Sequence, residues 1–219
     1  MMMAEFGIGG KSFFTILFWP GGGVIGLVLW GLSITMVSLI VQVFLSVRRA
    51  TILPPILMAQ IKALFDNRQY REAIELTSND PSYLANLVSA ALSEAPLGYQ
   101  AMERALEDAA DDRIVRFLRS VEYLNLLGNI GPMIGLLGTV WGMIVVFFTI
   151  AGAGGIPDPV ALSGGLGIKL VCTFVGLVVA IPSLTVYGLI RNRIDVLCAE
   201  GLVKAQGMIA AFRPGVKKD

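Results

Sequence analysis

The chain has 219 residues, 55% of them hydrophobic and only 15% charged, with a mean hydropathy of +0.74. Water-soluble domains carry about a quarter charged residues, so this deficit points to a membrane protein. A net charge of +1 argues against a nucleic-acid binder that works by neutralising phosphates. The chain contains no His, which removes the commonest metal ligand and the commonest general base together.

From the N-terminus, Lys11 is the only basic residue before a long apolar run, and no small-residue cleavage site closes that run, so a cleaved signal is not expected. Residues 1–21 read as an extracytoplasmic N-terminus. Within it, Phe13 to Trp19 forms a short interfacial helix closed by Pro20-Gly21-Gly22-Gly23. No Asp, Glu, Lys or Arg occurs between Lys11 and Arg48 or between Glu122 and Asp158, and only Lys169 occurs between Asp158 and Arg191. A bilayer core takes about 20 apolar helical residues. The windows therefore predict three spanning helices, over 22–47, 123–151 and 165–190, in an all-α membrane protein.

Between the first two spans, residues 48–122 read as a helical cytoplasmic domain. Pro54-Pro55 starts a helix that Asp66-Asn67 breaks. Tyr70 to Leu76 is a short amphipathic piece stopped by Ser78-Asn79-Asp80-Pro81, and Ser82 to Ser93 continues before Pro96 and Gly98 turn the chain. From Tyr99 there is no breaker until Gly128, so one helix is expected to run unbroken into the second span. The acids Glu107, Asp108, Asp111 and Asp112 on it read as a solvated face. Residues 152–164 form a periplasmic loop, and 191–219 a cytoplasmic C-terminal helix or tail. The 48–122 segment holds nine Lys and Arg, the tail six, and the 152–164 loop none. The positive-inside rule then puts the N-terminus outside and the C-terminus in the cytoplasm.

Two spans carry faces that lipid should not see. Gly128, Gly131, Gly135, Gly138 and Gly142 recur at intervals of 3 and 4, which places all five on one narrow face with Thr139 at its edge. Such a groove lets another backbone approach where lipid removes the hydrophobic drive for association. In the third span Lys169, Thr173, Gly176, Ala180, Ser183 and Tyr187 recur in the same way. The spacing alone fits two readings: tight packing within one chain, or a polar lumen reached by oligomerisation.

Lys169 lies about five residues inside the outer end of its span, near enough to snorkel to the headgroups. It is also a candidate for ion passage, as any ionisable group in a span is. No Asp or Glu falls within any span, so a proton path would need a carboxylate from another protein. Cys172 and Cys198 read as packing residues, with neither a zinc site nor a disulfide framework. No cofactor or metal site is expected. No nucleophile motif, paired carboxylate or phosphate loop is in a plausible position, so an enzyme is not expected either.

Ile130-Gly131-Pro132-Met133-Ile134-Gly135-Leu136-Leu137-Gly138-Thr139-Val140-Trp141-Gly142-Met143 and Thr173-Phe174-Val175-Gly176-Leu177-Val178-Val179-Ala180-Ile181-Pro182 resemble the paired signatures of the MotA/TolQ/ExbB proton-channel family. Three spans with a large insert after the first resemble its ExbB/TolQ branch. The resemblance implies a homo-oligomeric ring, a pentamer, in a bacterial inner membrane, its second and third helices lining a lumen. It implies an ExbD/TolR-like single-span partner that brings a membrane Asp into that ring. Proton flow there would drive work across the periplasm, through the partner or a TonB-like protein. The family's lumen threonines map onto Thr139 and Thr173, and Ser183 and Lys169 join them as ion-pathway candidates. Gly128, Gly131, Gly135, Gly138, Gly142 and Gly176 form the packing groove. The chain departs from ExbB in having Ile168 where ExbB carries a third-helix Glu. The alternative from another class is a membrane scaffold or permease subunit that packs through its small-residue faces without conducting ions.

Overall fold

The computed structural model describes residues 24–152 and 159–213, the side chains of 159–166 and 168 excepted. The expected interfacial helix over 13–19 and residues 153–158 of the expected loop lie outside the described residues. Among the described residues there are helices joined by short turns and no strand. The helices are α1 (Val24–Ser46), α2 (Arg49–Ile52), α3 (Pro55–Asp66), α4 (Tyr70–Asn79), α5 (Tyr83–Ser93), α6 (Tyr99–Gly152) and α7 (Pro159–Ile209). Short 3₁₀ turns follow α5 and α7, at Ala95–Leu97 and Ala210–Phe212. Three of these helices, α1, α6 and α7, are long and apolar enough to cross a membrane.

The breaks fall where backbone chemistry requires them. Pro55 opens α3 at a position where its missing N–H costs nothing. The Ser82 hydroxyl caps α5 by accepting from the Ala85 N–H at 3.3 Å. Gly98, with φ of 97°, makes the left-handed turn into α6. The short helix from Tyr70 runs three residues past Leu76, because Ser78 and Asn79 act as closers instead of breakers. Both side chains donate to the Glu75 carbonyl at 3.0 Å, and the helix stops at extended Asp80, the residue before Pro81.

The third long helix begins at Pro159, ahead of the expected 165, since Pro suits a first helical turn. α6 has 54 residues, more than twice the roughly 20 that a bilayer core takes. Pro132 inside it has no N–H to offer the Gly128 carbonyl, and Pro182 does the same to Val178 in α7.

The chain forms two compact units: one of Met1–Val41 with Glu122–Tyr187, the other of Gln42–Val121 with Gly188–Asp219. In the first unit α1 buries a thin stripe, with Met36 packed on Leu127 and Val179 beside Leu32, Leu39 and Ile40. In the second unit α5 is the core: Tyr83, Leu84, Ala85, Leu87, Val88, Ala91 and Leu92 are all buried. The Tyr83 hydroxyl donates to the Cys198 carbonyl at 3.3 Å, and Gly201 lies under the Tyr83 ring and Leu53. Phe65, Tyr70 and Phe212 form an aromatic trio with centroids 4.9–5.9 Å apart. Arg49 and Lys204 both reach Glu200, at 2.7 and 2.6 Å.

Candidate functional site

The glycine face of α6 is filled by α7 of the same chain. Taken in order, Gly128 lies against Leu184, Gly131 against Gly176 and Val179, Gly135 against Cys172 and Thr173, and Gly142 against Lys169. One residue number rises as the other falls, so the two helices run antiparallel. Gly138 meets Cys172 and also Ile25 of α1.

The six glycines are not equivalent. A methyl on Gly135 would stand 2.8 Å from the Cys172 carbonyl oxygen and 2.9 Å from Thr173 Cα, and one on Gly176 would stand 2.6 Å from the Gly131 carbonyl oxygen. Backbone cannot move aside, so Gly131, Gly135 and Gly176 are the positions where two main chains touch. At Gly128, Gly138 and Gly142 the nearest atoms belong mainly to side chains, which can adjust.

The hydroxyl and amine candidates divide by exposure. Thr139 is 6% exposed and donates its hydroxyl proton to the Leu136 carbonyl at 2.8 Å. Ser183 is fully buried and donates to the Val179 carbonyl at 2.7 Å. Both protons are spent on the helix that carries them. Thr173 is half-buried, and among the described residues its hydroxyl makes no hydrogen bond. Since no buried side-chain oxygen there is left without a partner, the Thr173 hydroxyl stands open. Lys169, also half-buried, lays its methylene stem across Gly142. The fold thus brings Thr173 to the level of Gly135 and Lys169 to that of Gly142, with no hydrogen bond joining Thr139 to Thr173 among the described residues.

Sequence reasoning did not single out a polar line on α6. Asn129 donates through Nδ2 to the Asn125 carbonyl at 2.8 Å and to its Oδ1 at 2.9 Å. Asn125 Nδ2 donates to Glu122 Oε1 at 2.7 Å, and the Tyr187 hydroxyl of α7 donates to Glu122 Oε2 at 3.4 Å. The 4-and-3 spacing was available as a signal. It was overlooked because Asn is uncharged and sits in windows defined by their lack of charge. Among the described residues no group of three His, Cys, Asp or Glu side chains is placed to hold a metal ion.

Two antiparallel spans joined by glycine contacts, with a third span beside them and a helical unit built from the same long helices, define a multi-pass α-helical membrane protein. The model of the MotA/TolQ/ExbB proton channel family matches residues 75–200, and the chain belongs to that family. It is 34% identical over 128 residues to Biopolymer transport protein exbB1 of Vibrio cholerae serotype O1, covering 52% of this chain and 56% of that one. A putative ExbB homolog of Methanothermobacter thermautotrophicus is 34% identical over 114 residues, covering 50% of this chain and 40% of that one. Biopolymer transport protein ExbB of Helicobacter pylori strain J99 is 32% identical over 104 residues, covering 48% and 71%. The matched stretch thus spans about half the length of the first two relatives.

Proposed function

We propose that the chain is the ring-forming subunit of an inner-membrane motor driven by the proton-motive force, working with an ExbD/TolR-like single-span protein. The observation that carries this reading is a polar site that is incomplete. The spans hold no Asp or Glu, while among the described residues the Thr173 hydroxyl makes no hydrogen bond and lies one turn from Lys169. A membrane Asp on a partner helix supplies the missing titratable group. Thr173 hydrogen-bonds that Asp or the water serving it, and the Lys169 ammonium draws the carboxylate towards its charged form. Thr139 and Ser183 give their protons to their own helices and keep hydroxyl oxygens that accept from water along the path. The assembly is a homopentamer with the N-terminus outside, the C-terminus inside and the partner within the ring. No covalent chemistry is involved.

Co-expression of the full chain with its single-span partner tests this. The pair is expected to copurify as one ring and to pass protons in reconstituted vesicles. Thr173→Val should lower that flux while the ring stays intact, and undiminished flux in Thr173→Val would remove its role. One observation favours a second reading, a scaffold that only packs helices: the two small-residue stripes mate inside a single chain. That reading predicts a stable complex with no proton flux in any variant.

A further inference from the structure

Asn129 is exposed within the charge-free stretch of a helix that is long and apolar enough to cross a membrane. Lipid offers an amide no hydrogen-bond partner, so a polar side chain at this depth belongs against protein or water. Its Nδ2 is engaged with Asn125, but Asn129 Oδ1 accepts no hydrogen bond among the described residues. The preceding residue, Gly128, has a carbonyl that Pro132 deprives of its helical donor. Two hydrogen-bond acceptors therefore lie on adjacent residues inside the span.

From Asn129 the donors point one way, through Asn125 to Glu122, where the Tyr187 hydroxyl also arrives. A carboxylate accepts about four hydrogen bonds, so Glu122 keeps room for water after these two. Along α6, Asn129 is about 9 Å from the level of Gly135 and Thr173, and Glu122 is about 10 Å further, at 1.5 Å per residue. Measured along the helix axis, the line thus lies between the level of Thr173 and the charged end of the apolar stretch at Glu122.

We propose that Glu122, Asn125, Asn129 and Tyr187 line a hydrated port at the inner end of the ion path, with Glu122 as its proton acceptor. This rests on the conducting reading above. Neither amide titrates; Asn129 and Asn125 hold the water, and Tyr187 and Asn125 fix the carboxylate. A proton arriving at Asn129 passes along the waters held there and at Asn125, each water releasing one proton as it gains another, and the last of them protonates the Glu122 carboxylate. The carboxylic acid then returns that last proton to bulk water, and no heavy atom is exchanged. Tyr187 acts as a positioning residue through Glu122.

Two measurements on the full chain with its single-span partner test the port. In the first, Asn129→Cys and Leu136→Cys are treated with a membrane-impermeant methanethiosulfonate from the side of the 48–122 segment. Leu136, 59% exposed, lies on the same side of α6 and two turns deeper. Modification needs thiolate and hence water, so Asn129→Cys should react at least about tenfold faster than Leu136→Cys. Equal and negligible rates would mean that lipid or a neighbouring copy covers Asn129, which overturns the port.

In the second, Glu122→Gln should lower proton flux severalfold with the ring unchanged in size, and Glu122→Asp should restore most of it. Wild-type flux in Glu122→Gln would overturn the acceptor role. If the wild-type complex passes no protons while Asn129→Cys reacts, the conducting reading falls and takes the proton step with it. If the wild type conducts while Asn129→Cys is inert, the port alone falls.

Discussion

The two units are packed by opposite rules. In the unit that holds the spans, glycines are inside and large apolar side chains outside: Gly131, Gly135 and Gly176 are buried, while Trp141 is 59% and Phe148 75% exposed. In the other unit Tyr83, Leu84, Leu87 and Leu106 are at most 1% exposed, and the charged residues face out. The difference is one of solvent. In water a Leu side chain is stabilised by about 1.5–3 kcal/mol when buried. In lipid it is equally comfortable outside, so close van der Waals fit decides what goes between helices. A single chain therefore relies on Gly for the closest contacts between α6 and α7 in one unit, and on Tyr83 and Leu side chains for the core of the other.

This contrast can be broken most directly at Gly135. Gly135→Leu drives a side chain into the Cys172 and Thr173 backbone and should abolish recovery of monodisperse protein from detergent extracts. Gly31→Leu, with nothing within 4 Å of its missing Cβ, should leave recovery unchanged. Equal yields of the two would mean that the glycine contacts do not hold the spans together. Next in size is a matched pair of truncations. Leu87→Ala removes a fully buried side chain and should cost about 2–5 kcal/mol, read as a lower thermal midpoint. Leu136→Ala, 59% exposed in the span, should move it little. A comparable fall in both would show that the spans are packed like a water-soluble core.

A smaller effect distinguishes a sealed thiol in the helical unit. Burial pushes the Cys198 thiol up to about 11, beneath the Tyr83 hydroxyl. At pH 8 only about one Cys198 in a thousand is then thiolate, the reactive form, so maleimide should leave it unmodified in native protein. Tyr83→Ala should expose it to labelling, and rapid labelling of the unaltered protein would contradict its burial.

The smallest effect concerns Glu200. Hydrogen bonding from Lys204, followed by the charge of Arg49, lowers its carboxyl below the ordinary 4.5. A depressed folded value means that the contribution is complete above pH 4.5 and fades as pH falls through the lowered value. Glu200→Gln should flatten that acid limb of a thermal-midpoint profile. The shift should be slight, because the group is exposed and screened. An unchanged acid limb would mean that the ion pairs contribute nothing.

Much of this contrast was legible in the sequence. Charge-free windows marked the spans because each charged residue in lipid is costly, and Pro and Gly marked the helix breaks because they act on the backbone locally. The glycine spacing gave a face because a helix repeats by fixed geometry. That the face is filled by α7 of the same chain was not legible, since the residues that meet there lie 27 (Gly142 and Lys169) to 56 (Gly128 and Leu184) positions apart. The same applies to Gly201 under Tyr83, whose need for Gly comes from a ring more than a hundred residues earlier in the chain. Thr139 and Thr173 looked alike as polar residues in their spans, and only their hydrogen bonds separate a closed hydroxyl from an open one. The 3-and-4 ladder through Asn125 and Asn129 is also written in the sequence, but an uncharged amide leaves no mark on a window defined by charge.

The closed hydroxyls have a consequence for how the protein is made. Thr35, Thr139, Thr149, Ser183 and Thr185 each return their proton to a carbonyl three or four residues back, at 2.7–2.9 Å. Such a residue presents lipid with a satisfied group before any neighbour has arrived. At these five positions α1, α6 and α7 ask nothing of a neighbouring helix during insertion, which leaves the Gly131–Gly176 contact to be decided by packing alone.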